Sequence, residues 1–445
     1  MIQVAQILFI LSVLVILHEF GHYIAAKIFK VRVEKFYLFM DAGFSLIKKK
    51  IGETEWGIGW LPIGGYVKLS GMIDESMDTE QMKLPPQPWE FRSKPAWQRL
   101  IIMMGGIIVN IILAITIYTI MFSTVGQKYV STNEIQKNGL AFGEAGKSVG
   151  FKNGDKIIAI DGAPIQNKFN WFVIDVLLSN SLEINREGKN VHLSLTDEQK
   201  GILLATDGKL FLTPRFSDIQ IDSVLPKSNA NLAKLQKNDK IVALNGSKVT
   251  YFDVFSDDLK TNKNKEINLL ISRKNQEIET KVKVDSAGHI GFVPSFIDFK
   301  KNKKLTIENH YTFFEAIPKA INESWQLIVY NVKQFKLILK PKTGAYKKVS
   351  SPIGIARMLP ETWDWEYIWS FTALFSIGLA FMNCLPIPGL DGGHALFTIV
   401  EMITGKTLSE KAMEKVQTGG MIFLLSLMAL TFGKDIYQLV VDKLF

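Results

Sequence analysis

LVILHEFGHYIAAK, residues 14–27, places two histidines and a glutamate inside an apolar stretch of the chain. Residues 1–17 contain no Lys, Arg, Asp or Glu, and the apolar segment continues to Ala26. This length is close to the roughly 20 residues that cross a bilayer as a helix. A cleaved signal peptide fits less well, because the first basic residue, Lys27, follows the apolar run. The stretch therefore predicts a membrane-spanning helix that carries ionisable groups.

These groups form the pattern H-E-x-x-H, in which Glu19 follows His18 and His22 stands four residues after His18. Residues four apart share one face of a helix, so both imidazoles can bind one metal ion. In this pattern the histidines bind zinc and the glutamate acts as a general base toward water. Ionisable residues inside a membrane are costly and are expected to be functional. The segment predicts a catalytic zinc site.

A catalytic zinc ion needs a third protein ligand and one open coordination position. NCLPIPGLDGGH, residues 383–394, follows a later apolar span and interrupts it with Pro and Gly. Irregular backbone at membrane depth is tolerated where it is buried in protein or lines a cavity. We expect Asp391 to be the third ligand. His394 is the competing ligand, although a hydrogen-bonding role suits it better.

The composition predicts a membrane protein with a large soluble part. The chain has 445 residues, 47% of them hydrophobic, and a mean hydropathy of +0.13, which is too polar for a bundle of membrane helices alone. The net charge is +9, but the basic residues are scattered and no motif indicates a nucleic acid partner. The single cysteine, Cys384, excludes an internal disulfide.

Three further apolar stretches predict membrane helices at 100–122, 367–389 and 419–433, which gives four in total. The first of the three contains one buried amide, Asn110. The last is long enough only if it continues past the charged pair at 434–435.

The charge distribution predicts the orientation. Lys and Arg are concentrated near both ends of the loop 30–99, whereas the segment before the first helix has none. The positive-inside rule places this loop and the loop 387–417 in the cytoplasm. Residues 124–366 and both chain ends are then on the outer side.

The outer region contains a tandem repeat, in which FKNGDKIIAIDG at 151–162 matches LQKNDKIVALNG at 235–246. Alternating apolar residues followed by DG or NG predict a strand and a turn in each copy. Asn238 at the position of Gly154 makes the second copy the weaker match. Both copies resemble PDZ domains, which capture extended peptides or C-terminal carboxylates by strand addition. The alternative is a pair of spacers or size filters that bind no peptide.

Two other segments are predicted to lie at the membrane. WGIGWLPIGGYVKL, residues 56–69, predicts a hairpin whose edge accepts an unwound substrate strand, although any half-buried strand pair fits its pattern. Residues 311–340 predict an amphipathic helix, broken near Pro318, that lies on the outer membrane surface or packs against the repeats.

HEFGH in the first helix, the PDZ-like repeats and the element N-x-x-P-x-P-x-L-D-G at 383–392 together resemble the bacterial site-2 protease family. LPIGGYVKLSGM at 61–72 and FRSKPAWQRLIIMMGGIIVN at 91–110 are also similar to that family. The resemblance extends over essentially the whole chain. It implies an intramembrane zinc metalloprotease of the cell inner membrane, with the PDZ-like domains and both termini periplasmic and the active site near the cytoplasmic side.

The resemblance also implies residue roles. His18, His22 and Asp391 would hold one zinc ion per chain, and Glu19 would be catalytic. Residues expected to contact substrate are Asn383, Pro386, Pro388, Gly64, Gly65 and Tyr66.

The implied substrates are single-pass transmembrane proteins. They are an anti-sigma factor, cleaved after a first periplasmic cut in an envelope stress response, and remnant signal peptides. The other expected partners are the phospholipid membrane and a peptide or C-terminus at the PDZ-like domains. The alternative function is a catalytically inactive, membrane-anchored PDZ scaffold or receptor.

The predicted fold class is a multi-pass α-helical membrane protein with two tandem β-rich PDZ-like domains. The predicted segments are transmembrane helix 1 (1–29), a cytoplasmic loop with the hairpin (30–96), transmembrane helix 2 (97–123), PDZ-like domain 1 (124–214), PDZ-like domain 2 (215–297), a linker with the amphipathic helix (298–365), transmembrane helix 3 (366–388), a cytoplasmic loop with LDG (389–417) and transmembrane helix 4 (418–442).

Overall fold

The architecture comes from a computed structural model. The structure describes residues 2–72, 84–206, 211–296, 305–406 and 409–444. The first residues of the predicted linker 298–365 lie outside this set. The chain divides into a helical unit (1–126, 310–335 and 348–445) and a β-rich unit (127–309 and 336–347).

The α-helices are α1 (Ile2–Ile28), α2 (Ala96–Thr124), α3 (Thr132–Ile135), α4 (Glu144–Ser148), α5 (Phe169–Leu178), α6 (Asp197–Leu204), α7 (Asn229–Leu232), α8 (Phe252–Thr261), α9 (Phe313–Ile338), α10 (Pro352–Ala356), α11 (Trp365–Cys384), α12 (Asp391–Thr404) and α13 (Glu410–Leu444). The strands are β1 (Val33–Ile51), β2 (Thr54–Leu69), β3 (Gln127–Val130), β4 (Leu140–Phe142), β5 (Lys156–Ile160), β6 (Ala163–Pro164), β7 (Ser181–Arg186), β8 (Lys189–Ser194), β9 (Leu212–Pro214), β10 (Ile221–Val224), β11 (Lys240–Leu244), β12 (Ser247–Lys248), β13 (Glu266–Arg273), β14 (Gln276–Lys283), β15 (Phe292–Pro294) and β16 (Thr306–Asn309).

Among the described residues, four helices are long and apolar enough to cross a membrane, which confirms the predicted number. They are α1, α2, α11 and residues 412–438 of α13. The last helix continues past its charged pair because Asp435 has partners inside the protein. Its carboxylate accepts hydrogen bonds of 2.7 Å from the backbone N–H and the hydroxyl of Ser351, at the start of α10. Lys434 donates to the carbonyl of Val349.

Glycines bring α1 and α2 into close contact. A Cβ on Gly105 would lie 2.6 Å from the carbonyl oxygen of Gly21, and a Cβ on Gly21 would collide with the backbone of Gly105. Small residues allow helix backbones to approach closely in a membrane, where packing rather than apolar burial drives association. The crossing holds the HEFGH turn of α1 directly against α2.

β1 and β2 form a folded sheet beside α1. Residues 33–38 of β1 pair with residues 65–69 of β2 and also with residues 55–58, while residues 45–51 pair with 54–59. Residues 65–69 are therefore an outer strip of this sheet.

The loop 30–96 contains the predicted hairpin, formed by β1 and β2, but residues 56–69 belong to one of its two strands and are not a hairpin of their own. The Gly-Gly pair at 64–65 lies inside β2. A Cβ on Gly65 would be 2.6 Å from Cγ1 of Val15, so glycine marks a close approach to α1.

The β-rich unit contains one arrangement twice. A four-stranded sheet of order β6-β5-β7-β8 accompanies the pair β4-β9, and a sheet of order β12-β11-β13-β14 accompanies the pair β10-β15. Each copy has its own apolar core, centred on Phe172 in the first and Phe255 in the second. The predicted β-rich character of this region is confirmed.

Gly154 and Asn238 occupy equivalent turns of the two copies. Gly154 has φ +96° and Asn238 has φ +71°, so both residues adopt left-handed backbone, which asparagine tolerates better than most residues. The aspartate that follows each of them is buried and paired with an arginine at the end of β7 or β13.

α9 continues through Pro318, so the prediction of a break there is wrong. Pro318 lies near the start of the helix, where a missing N–H removes only one early backbone hydrogen bond. Ala316 and Ala320 pack against Phe122 of α2, while Phe314 and Trp325 are exposed.

Candidate active site

His18, His22 and Asp391 meet between α1 and the start of α12. Each histidine Nε2 lies 3.2 Å from Oδ2 of Asp391, and the two Nε2 atoms are 3.4 Å apart. Both histidines are buried. Within the part of the chain that the structure describes, these residues form a group whose ligand atoms lie close enough to share one metal ion.

The surroundings of these atoms fit a cation. Nδ1 of His22 lies 2.8 Å from the carbonyl oxygen of Ile102, which can only accept, so Nδ1 carries the proton and Nε2 presents a lone pair. Oδ2 of Asp391 is buried, and none of the residues that the structure describes donates a hydrogen bond to it. A buried carboxylate oxygen that faces lone pairs is costly unless a cation lies between them. Two imidazole nitrogens and one carboxylate oxygen are ligands that zinc accepts at catalytic sites.

Gly106 of α2 provides the space for this group. A Cβ at this position would lie 2.5 Å from Cε1 of His18 and 2.5 Å from Nε2 of His22. Glycine inside a helix costs about 1 kcal/mol relative to alanine, so its place here has a packing reason. Gly106 was not among the predicted site residues, although two adjacent glycines in the middle of an apolar span were an available signal.

The turn before α12 places Asp391 at the first residue of that helix. A Cβ on Gly393 would lie 2.5 Å from the carbonyl oxygen of Ile387, and one on Gly392 would collide with that of Leu385. Only glycines therefore allow the helix to begin so close to the turn. The helix N-terminus also favours a negative charge at Asp391.

Glu19 faces a cavity with about 120 Å³ of space for water, which the three converging residues also line. A water molecule takes about 30 Å³ in the liquid, so the cavity has space for several. Val67, in the outer strip of the sheet, lines the same cavity as Glu19. The arrangement places a carboxylate beside water and beside a cation site.

The predicted substrate contacts are only partly brought together. Asn383, Gly65 and Tyr66 line the cavity, whereas Gly64, Pro386 and Pro388 do not. Nδ2 of Asn383 lies 3.1 Å from Nε2 of His18.

The residues outside the cavity have other surroundings. Gly64 is exposed, with φ +75°, and Pro386 is exposed in the turn. Pro388 packs against Gly420 of α13. His394 lines the cavity but does not belong to the converging group.

Comparison with known proteins decides the family. The family model of Peptidase family M50 matches residues 6–427. The chain belongs to Peptidase family M50. It is therefore a zinc metalloprotease of the site-2 protease family, as HEFGH and the LDG element predicted.

Individual members of family M50 align with nearly the whole chain. A Vibrio cholerae protein named as a zinc metalloprotease is 29% identical over 459 residues, which cover 96% of this chain and 97% of the relative. The regulator of sigma-E protease RseP of Escherichia coli is 29% identical over 466 residues, which cover 98% and 99%. Protease RseP of Yersinia pestis is 29% identical over 470 residues, with the same coverage.

Proposed function

We propose that this M50 protease hydrolyses peptide bonds within the transmembrane segments of single-pass membrane proteins. His18, His22 and Asp391 would bind the zinc ion, and Glu19 would be the general base. The observation that carries the proposal is the convergence of three acceptor atoms beside Glu19, in a unit built from four apolar helices.

The chemistry divides between the metal and the chain. When bound, zinc polarises a carbonyl and lowers the pKa of water at the site toward about 7. Glu19 takes the proton of the attacking water and passes it to the leaving amine. Because Nε2 of His18 cannot accept a hydrogen bond while it binds metal, Nδ2 of Asn383 becomes available to a substrate carbonyl.

Strand addition is the proposed way of presenting the substrate. A transmembrane helix keeps its peptide groups in internal hydrogen bonds, so cleavage requires local unwinding. Residues 65–69 form an outer strip of the β1–β2 sheet, and Gly65 and Tyr66 of this strip line the cavity. An unwound segment that pairs with this strip would lie next to Glu19. Helix-weakening residues in the substrate should then favour cleavage, which a series of Gly-to-Leu and Pro-to-Leu substrates would test.

We propose the cell inner membrane as the location, with loop 30–99 cytoplasmic and the β-rich unit and both termini periplasmic. The Lys and Arg distribution supports this orientation. The name of the Escherichia coli relative, regulator of sigma-E protease, supports a role in sigma-factor regulation. The proposed substrates are an anti-sigma factor that has received a first periplasmic cut, and remnant signal peptides.

The two repeats are proposed to be PDZ-like domains that capture a peptide or a C-terminus. A cavity of about 350 Å³ lies between them, lined by Phe142 and Lys147 from the first copy and Phe252 and Lys260 from the second. Titration with fluorescent peptides tests this role. Absence of binding, together with faster cleavage of substrates with smaller ectodomains, would favour the size filter.

Cleavage of a transmembrane model substrate in detergent, by wild type and Glu19→Gln side by side, tests the proposed function. We expect the variant to keep its zinc and to lose about 10²- to 10⁴-fold in rate, because a general base typically contributes that much. Glu53→Gln, at an exposed position between β1 and β2, is the matched control and should cleave like wild type. Equal cleavage by wild type and Glu19→Gln would mean either that HEFGH is not the active site or that a contaminating protease cleaves the substrate, and the contaminant would favour the inactive scaffold.

A further inference from the structure

The two histidines are held differently on the side away from Asp391. Nδ1 of His22 faces the main-chain carbonyl of Ile102 at 2.8 Å. Nδ1 of His18 instead faces the side-chain amide of Asn110 in α2, with 3.1 Å between Nδ1 and Nδ2. The orientation of one ring therefore depends on the backbone, and that of the other depends on a side chain.

Among the described residues, the side-chain amide of Asn110 makes no hydrogen bond other than the contact with His18. The residue is fully buried, and its backbone carbonyl accepts a 2.7 Å hydrogen bond from the hydroxyl of Ser376 in α11. The side-chain Oδ1 is buried and has no hydrogen-bond partner in the described part of the chain. A buried amide oxygen without a donor is costly in an apolar surrounding.

Metal binding by His18 supplies the missing donor. If Nε2 binds zinc, the ring proton lies on Nδ1, which then requires an acceptor. A half-turn of the Asn110 amide about its last torsion exchanges Nδ2 and Oδ1, which occupy nearly the same volume. Oδ1 then accepts from Nδ1–H, which gives the Asn110 oxygen and the His18 ring proton a partner, while Nδ2 takes the place that Oδ1 held. Asn383 cannot serve in this way, because it lies at Nε2.

We propose that Asn110 is a positioning residue of the zinc site. Its Oδ1 accepts the Nδ1–H of His18 and fixes the tautomer and ring orientation in which Nε2 binds the metal. This inference rests on the proposed zinc ligands. Loss of such an outer hydrogen bond typically weakens metal binding about 10- to 100-fold.

The test is the zinc dissociation constant of the full-length protein in detergent, measured by competition with a chelator. Asn110→Leu keeps the volume but removes the acceptor, and we expect about 10- to 100-fold weaker binding. Asn110→Asp restores an acceptor and should bind zinc at least nearly as tightly as wild type. Thr119→Val is the matched control. Thr119 is buried in the same helix, and its hydroxyl donates a hydrogen bond to the carbonyl of Ile115 within that helix.

Wild-type affinity in Asn110→Leu, or an equal loss in Asn110→Leu and Asn110→Asp, would overturn the inference and leave Asn110 a packing role. If Asn110→Leu does not fold, histidine ¹⁵N spectra of the zinc-loaded wild type decide instead. A protonated, hydrogen-bonded Nδ1 on His18 supports the inference, and an unprotonated Nδ1 overturns it. Asp391→Asn is measured in parallel. Zinc binding that depends on neither Asp391 nor Asn110 would refute the proposed ligands, whereas dependence on Asp391 alone would refute only the role of Asn110.

Discussion

Buried aspartates occur in both units of the molecule, in opposite surroundings. In the β-rich unit, Arg186 donates two hydrogen bonds of 2.8 Å to Asp155, and Arg273 donates two of 2.7 Å to Asp239. In the helical unit, Oδ2 of Asp391 faces two imidazole nitrogens, and no hydrogen-bond donor to it occurs among the described residues.

The difference shows what separates a structural carboxylate from a metal ligand. A buried aspartate whose two oxygens accept hydrogen bonds from an arginine has its charge and its acceptors satisfied, and its role is to hold two strands together. A buried aspartate surrounded by other acceptors has an unbalanced negative charge until a cation binds beside it. Burial alone is thus uninformative, and the balance of donors and acceptors around the carboxylate distinguishes the two cases.

Of the substitutions that test this difference between the aspartates, we expect the largest effect from one at Asp391. Asp391→Asn removes the negative charge of the group, so zinc content and cleavage should both be lost. The zinc-free variant should unfold no more easily than zinc-free wild type, because the lost carboxylate had no donor to lose. Metal analysis and thermal unfolding of the two zinc-free proteins check this. One zinc per chain in the variant would contradict the assignment of Asp391 as a ligand.

Asp155→Asn should have the opposite profile. It leaves Arg186 without its carboxylate, and breaking a buried ion pair costs about 3–5 kcal/mol. Hydrogen exchange of residues 127–206 should detect the lower stability, while the zinc content stays at the wild-type level. Glu266→Gln is the control, because Glu266 and Lys281 form an exposed pair that contributes at most about 1 kcal/mol. Loss of zinc in Asp155→Asn would contradict the separation of the two roles.

The smallest expected difference lies between the repeats. Gly154→Ala forces a Cβ into left-handed backbone and should cost about 1–2 kcal/mol. Asn238→Gly should change the stability of the second copy by less than 1 kcal/mol, since both residue types tolerate this conformation. Unfolding of each repeat, followed by hydrogen exchange, gives both values. A larger loss for Asn238→Gly would mean that the asparagine side chain has a separate structural role.

The predictions that proved correct came from local sequence patterns. Four apolar helices could be read from hydropathy, and the M50 family could be read from HEFGH and LDG, because these features lie within short segments. What the sequence did not reveal depends on which segments meet. The contacts of Gly106 with the two histidines and of Asn110 with His18 depend on how α2 crosses α1. The pairing of β1 with two parts of β2 depends on how these strands fold against each other. Pro318 misled because its position near the helix start decides its effect.

Zinc K-edge X-ray absorption of the purified wild-type protein tests the central claim most directly. We predict one zinc ion per chain, two imidazole nitrogens at about 2.0–2.1 Å and oxygen ligands for the remainder. Replacement of either His18 or His22 should abolish zinc binding, and any zinc that remains bound should show one imidazole fewer. A sulfur ligand at about 2.3 Å, which Cys384 alone could supply, or an unchanged spectrum after replacement of His18, would contradict this prediction.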